Sequence, residues 1–231
     1  MTIAESVARV RERIDAAARR AGRDPGKIAL VAVSKTVDPA RIRRAIEAGV
    51  DRLGENYVQE AQKKIEELGR AAAWHFIGHL QSNKARAAVR LFDFVHSVDS
   101  LRLAEELSRA ARQENRVLPV LLQVNLGQEA TKFGAGEDEV FRLLEGMSSL
   151  PGIAVKGLMA LPPYSENPED SRPYFRALRE LGEAVSRRNI PGVLMEELSM
   201  GMSHDFETAV EEGATMVRVG TAIFGPRPAR G

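Results

Sequence analysis

Ile3, Val7, Val10, Ile14 and Ala17 recur at steps of three and four behind the capping-box sequence Thr2-Ile3-Ala4-Glu5, which predicts an amphipathic helix ending near Gly22. Beyond it, short apolar runs rich in β-branched residues alternate with longer stretches of helical period. The apolar runs fall at 28–33, 52–54, 74–78, 94–98, 117–124, 153–159, 194–198 and 216–219. Helical patterns fill 39–48, 58–68, 101–113, 137–147, 171–188 and 204–211, with a shorter one near 84–91. No Ser/Gly linker or low-complexity tract separates them, so residues 1–231 are expected to form one domain. Eight strand–helix alternations predict a parallel sheet, and eight is the number that closes a TIM barrel; an open doubly wound sheet is the alternative. After the last run only 220–231 remain, interrupted by Gly225, Pro226 and Pro228, so the N-terminal helix is expected to fill the place of a full eighth helix. The weakest strand predictions are those at 52–54 and 194–198.

Composition removes several function classes. The chain has 33 Lys+Arg against 32 Asp+Glu, a net charge of +1, which disfavours nucleic acid as the main partner. With 44% hydrophobic and 28% charged residues it can bury a full core. No run is apolar over bilayer length, and Glu5, Glu12 and Asp15 among the N-terminal arginines argue against a signal or transit peptide, so a cytosolic protein with no membrane partner is expected. The absence of cysteine excludes disulfides, thiolate metal sites and cysteine nucleophiles. Only His75 and His79, of four histidines, are four apart, and that pair straddles Gly78 in a strand-like run, so no metal is expected.

In a TIM barrel the chemistry lies just past the carboxyl ends of the strands. The first run ends in Ser34-Lys35-Thr36. Lys35 is either an ordinary solvated loop lysine or a partly desolvated amine able to attack an aldehyde. The seventh ends in Leu198-Ser199-Met200-Gly201-Met202-Ser203, where Ser203 suits an N-cap; the eighth ends in Val217-Arg218-Val219-Gly220-Thr221. Loops after strands 7 and 8 recur as the phosphate site of this fold: Gly201 and Gly220 would allow close backbone approach, while Ser199, Ser203 and Thr221 offer hydroxyls. Separately, each cluster reads as an ordinary turn. Closure makes strand 8 the neighbour of strand 1, which sets Lys35 beside that cradle, and an imine-forming lysine next to a phosphate site points to pyridoxal phosphate (PLP). Arg218, two positions before Gly220, is either a structural ion-pair partner or the group facing the pyridine nitrogen.

The stretches 31–36 (Val-Ala-Val-Ser-Lys-Thr), 54–60 (Gly-Glu-Asn-Tyr-Val-Gln-Glu), 74–84 (Trp-His-Phe-Ile-Gly-His-Leu-Gln-Ser-Asn-Lys), 157–159 (Gly-Leu-Met), 198–203 and 217–225 resemble the pyridoxal phosphate homeostasis protein family over most of the chain. The resemblance implies a barrel like the N-terminal domain of alanine racemase, with PLP held as a Schiff base on Lys35. It implies that Gly220, Thr221 and the Ser199–Ser203 loop, with Met200 and Gly201, hold the phosphate and that Arg218 faces the pyridine nitrogen. Asn56, after strand 2, either contacts the cofactor, the preferred reading, or satisfies loop backbone. His79, Gln81, Asn83 and Lys84 form either a solvated loop or a substrate- or partner-facing rim. Met159, Met195, Met200 and Met202 read as packing. Thr131-Lys132-Phe133-Gly134 also resembles a family feature, and physics gives it no role.

Three functions compete: a protein that carries, buffers or supplies PLP without robust turnover; a PLP-dependent racemase-like enzyme with weak activity; and a Schiff-base aldolase using Lys35 alone. Alanine racemases, by resemblance, take their opposite catalytic base, a tyrosine, from a second β-rich domain, for which no residues remain after Gly225. Tyr57, Tyr164 and Tyr174 all lie within the barrel, and of these Tyr57 and Tyr164 could reach the mouth. No carboxylate or tyrosine is apparent beside Lys35 for an aldolase. The first reading is preferred, with PLP-dependent apo-enzymes as partners and the chain a monomer.

Overall fold

Eight parallel strands close on one another in sequence order: β1 (Ala29–Val33), β2 (Arg52–Glu55), β3 (Ala73–Phe76), β4 (Phe94–Val98), β5 (Leu118–Val124), β6 (Ile153–Ala160), β7 (Val193–Ser199) and β8 (Met216–Val219). The structure, a computed structural model, describes residues 1–127 and 133–226. Each predicted run is a strand, including the two weakest, and the closed barrel replaces the open-sheet alternative. The seam pairs Ala29 with Met216 and Val31 with Arg218.

The helices α2 (Pro39–Glu47), α3 (Val58–Leu68), α4 (Ala85–Leu91), α5 (Leu101–Gln113), α6 (Glu137–Ser148), α7 (Arg172–Arg188) and α8 (Phe206–Glu211) follow the first seven strands. After β8 comes only the short α9 (Thr221–Phe224). The helix α1 (Ile3–Arg20) fills the vacancy, packing on α8, α9 and α2 as expected. Its capping box forms: Glu5 N–H donates to Thr2 Oγ1 at 3.2 Å and Thr2 N–H to Glu5 Oε2 at 2.8 Å. Its face Val7, Val10, Ile14 and Ala17 is buried.

Strand residues alternate between two environments. Val217 and Val219 join the apolar layer between sheet and helices, whereas Arg218 between them faces the inside. That apolar layer, with Trp74, Phe76, Phe92, Phe175 and Phe206 fully buried, rigidly supports the loops above it. No helix among the described residues is long and apolar enough to cross a membrane, and none of their side chains cluster as metal ligands.

Candidate functional site

A cavity of about 700 Å³ opens at the carboxyl ends of the strands. Lys35, Asn56, Ser203, Arg218, Gly220 and Thr221 line it; Ser199, Met200 and Gly201 do not. Met200 belongs to the apolar core. Gly201 has φ 88°, and a Cβ there would approach Ala209 Cβ to 2.5 Å, so its glycine requirement comes from α8 rather than from a ligand. Its carbonyl accepts Arg218 N–H at 3.0 Å, tying the two loops together.

Ser203 also departs from expectation. Asp205 stands at the N-cap position of α8 without a side-chain cap hydrogen bond; its Oδ1 accepts Met202 N–H at 2.6 Å and its Oδ2 the Ser171 hydroxyl at 3.0 Å. Ser203 instead turns to the cavity, where its Oγ accepts Gly220 N–H at 3.1 Å and Ala222 N–H at 3.4 Å. The backbone donors after β8 therefore converge on one small oxygen, beside Thr221. Asn56 follows β2, and its Oδ1 is buried without a hydrogen-bond partner. Gly78, after β3, allows this approach, since a Cβ there would stand 2.6 Å from Asn56 O.

Arg218 is buried, donating through Nη1 to Ser199 Oγ at 2.6 Å and through Nη2 to Ala160 O at 2.9 Å. Among the described residues it has no ion pair, so the structural-partner alternative is not realised there. Burial lowers its pKa to about 10, with Asp205 opposing the shift, and the guanidinium is still a cation at neutral pH.

Of the loop after β3, His79 reaches the cavity, stacking on Phe133 at 3.5 Å between centroids and standing 3.4 Å from Asp99. Gln81 and Asn83 face a neighbouring hollow of about 440 Å³, and Lys84 lines neither. Thr131 and Lys132 lie outside the described residues. Tyr164 and His204 meet at the rim with ring centroids 5.2 Å apart; Tyr57 is exposed outside the lining.

The alanine racemase N-terminal domain family model matches residues 6–228. A pyridoxal phosphate homeostasis protein of Aquifex aeolicus is 47% identical over 98% of this chain and 99% of its own length. The chain belongs to the pyridoxal phosphate homeostasis protein family. PipY of Synechococcus elongatus, solved with PLP bound, has a TM-score of 0.85 and 39% identity, covering 97% of this chain and 100% of PipY. Alanine racemase of Corynebacterium glutamicum has a TM-score of 0.74 at 18% identity, over 99% of this chain and 63% of the racemase, a likeness of fold.

In this member of the pyridoxal phosphate homeostasis family two buried groups escaped the sequence reading. One crosses the barrel. His96 on β4 lies 2.9 Å from Ser199 Oγ on β7 through Nδ1 and 2.8 Å from His75 Nδ1 on β3 through Nε2. Burial, with the charge of Arg52, lowers the His75 pKa to about 3; burial, His75 and Arg218 hold His96 well below its usual value, so both rings are neutral. The second group lies under Lys35. Lys64 Nζ reaches Ser34 O, Glu55 Oε1 and Glu60 Oε1 at 2.6, 2.7 and 2.6 Å. Burial pushes the Glu55 carboxyl above the ordinary range, while Lys64 and Ser34 pull it down. The carboxylate expected to be missing near Lys35 is thus present, but it is bound to Lys64 and outside the cavity lining. The motif spacing of 54–60 held Glu55 and Glu60, although nothing in it marked Lys64 as their partner.

Proposed function

We propose that residues 1–231 form one PLP-binding domain that serves intracellular PLP homeostasis by carrying, buffering or supplying the cofactor, and that it is not an enzyme with robust turnover. The observation that carries this reading is the convergence of Lys35, Arg218, the partnerless Asn56 Oδ1 and the Ser203–Gly220 donors on a single cavity. Its volume suits one small ligand. The fit to PLP is chemical: an amine, hydroxyl and backbone donors small enough to surround a phosphate, and a fixed cation between them.

PLP, when bound, supplies an aldehyde that condenses with amines and a ring that withdraws electrons. Lys35 offers the amine from the loop after β1. Ser203, Gly220 and Thr221 take the phosphate end, and Asn56 supplies a polar contact from β2. Arg218, held by Ser199, presents positive charge to the ring nitrogen and opposes its protonation, which weakens the electron sink. Met200 and Gly201 act from behind the wall, by packing and by anchoring Arg218 N–H. Among the described residues no Asp or Glu lines the cavity to handle protons. The protein works in the cytosol as a monomer and hands PLP to apo-enzymes.

Visible absorption before and after borohydride reduction, followed by peptide mapping, tests this directly. Wild type should be yellow and retain PLP on Lys35, and Lys35→Ala should lose both properties. Lys35 is the only lysine between Lys27 and Lys63, so the labelled peptide is unambiguous. A label on another lysine overturns the site.

Tyr164 and His204 at the rim favour a second reading, a weak racemase-like enzyme. Exchange of the amino-acid α-proton with solvent deuterium, followed by NMR, separates the two. We expect neither ring to act as the opposite base, which forfeits about 10²–10⁴ in rate, so no substantial exchange is expected. Exchange with inversion at about 1–10³ per second would establish the enzyme instead.

A further inference from the structure

Lys35 stands in a tight turn. Val37 N–H donates to Ser34 O at 3.0 Å, leaving Lys35 and Thr36 as the central pair. Thr36 has φ 61°. Positive φ at the second central position favours glycine or asparagine and disfavours a β-branched residue. Left to its local preferences, this sequence would abandon the turn.

The carboxylates of 54–60 hold it there. Thr36 N–H donates to Glu60 Oε1, and Lys64 donates to Ser34 O. An ammonium has three N–H groups, and Lys64 directs its contacts to three acceptors: Ser34 O, Glu55 and Glu60. Ser34 Oγ donates to Glu55 Oε1 at 2.7 Å. The Lys64 and Glu55 side chains are 6% and 0% exposed. A buried ion pair stabilises a fold no better than apolar residues of the same size, so stability alone does not account for this one.

We propose that Glu60, Lys64 and Glu55 are positioning residues, a clamp that holds the Ser34–Val37 turn in its disfavoured conformation and thereby aims Lys35 into the cavity. The idea rests on Lys35 being the amine that captures PLP. The clamp bears on the aldehyde end alone, because the phosphate end is built on the loops after β7 and β8. Backbone strain persists only where the surroundings over-determine it, and here the clamp is that surrounding.

Glu60→Ala is the variant to make, since the Glu60 side chain is 26% exposed and its loss leaves Lys64 paired with Glu55. Affinities are measured for PLP and for pyridoxine 5′-phosphate, which keeps the ring and phosphate but carries an alcohol in place of the aldehyde. Separately, the rate of Lys35 acetylation by acetic anhydride is read by peptide mapping without cofactor, against Lys27 as internal standard. Glu60→Ala should weaken PLP about tenfold, leave pyridoxine 5′-phosphate unchanged and alter Lys35 acetylation several-fold. Glu60→Gln, which retains an acceptor, should restore wild-type behaviour. So should Thr36→Gly combined with Glu60→Ala, because glycine needs no clamp. Equal losses for both ligands, no rescue by Thr36→Gly, or unchanged Lys35 acetylation each overturns the clamp. Wild type that binds neither ligand overturns the function proposed above, and the acetylation arm then still decides for or against the clamp.

Discussion

Two cations, Lys64 and Arg218, are buried near the mouth of the barrel, and the fold treats them oppositely. Lys64 is met by two carboxylates at 2.7 and 2.6 Å. Arg218 is met by a hydroxyl and a carbonyl, and the histidines beyond that hydroxyl are neutral. Neutral acceptors satisfy N–H groups without cancelling charge. The charge of Lys64 is therefore neutralised inside the protein, and that of Arg218 remains available to whatever enters the cavity. Depth and residue type do not separate a structural cation from a ligand-directed one; its partners do.

Removing each cation should break the symmetry most visibly. Lys64→Met leaves Glu55 as an unpaired buried carboxyl and should destabilise the protein by about 3–5 kcal/mol in urea unfolding, with or without ligand. A loss below about 1 kcal/mol would mean that the ion pair is not holding its surroundings.

Acid sharpens the contrast, because the row behind Arg218 cannot accept protons while folded. The His75 pKa is about 3 in the native state, and His96 is also well below the ordinary 6.5. Below pH 6.5 the unfolded chain binds protons that the native chain does not. Stability should therefore fall as pH falls, by about 1.7 kcal/mol for His75 between pH 6.5 and 5, with His96 adding in the same direction. His96→Asn should remove one proton from the slope; urea midpoints across that range that do not move would contradict neutral buried rings.

The smallest expected stability effect is at Arg218. Arg218→Leu takes one donor from Ser199 Oγ, which keeps His96, and one from Ala160 O, costing about 1–3 kcal/mol, yet it should weaken ligand binding far more than Lys64→Met does in protein that remains folded. Calorimetric titration of both variants with PLP checks the order, and a reversed order would undo the comparison.

The barrel was legible because most of its parallel strands are buried on both faces and read as apolar runs, while the weaker runs at 52–54 and 194–198, the latter partly exposed, take their places as β2 and β7 from the regular alternation around them. That Lys35, Arg218 and Gly220 line the cavity was legible because the fold itself says where loops carry chemistry. The contacts behind them were not. His75, His96 and Ser199 meet only across the barrel interior, so no spacing along the chain predicts the row. Lys64 sits on a helix whose charged residues normally face solvent, and its inward turn depends on carboxylates from β2 and from its own helix. Ser203 and Asp205 are both cap-competent, yet neither side chain caps α8: Ser203 accepts from Gly220 and Ala222, and Asp205, at the N-cap position, accepts from Met202 and Ser171.

The seam between β1 and β8 governs the order in which the site can come into being. Ala29 pairs with Met216, so the last ladder joins the most widely separated strands of the sheet. Such contacts form slowly, because a long loop must close before any pairing rewards it. Lys35 leaves the first strand of that seam and Gly220 leaves the last. A chain folded everywhere except there holds every strand and still has no cradle. On the function proposed above, ligand capture would require that joint to be closed, and a ligand lying across it would work as a rivet, slowing its reopening.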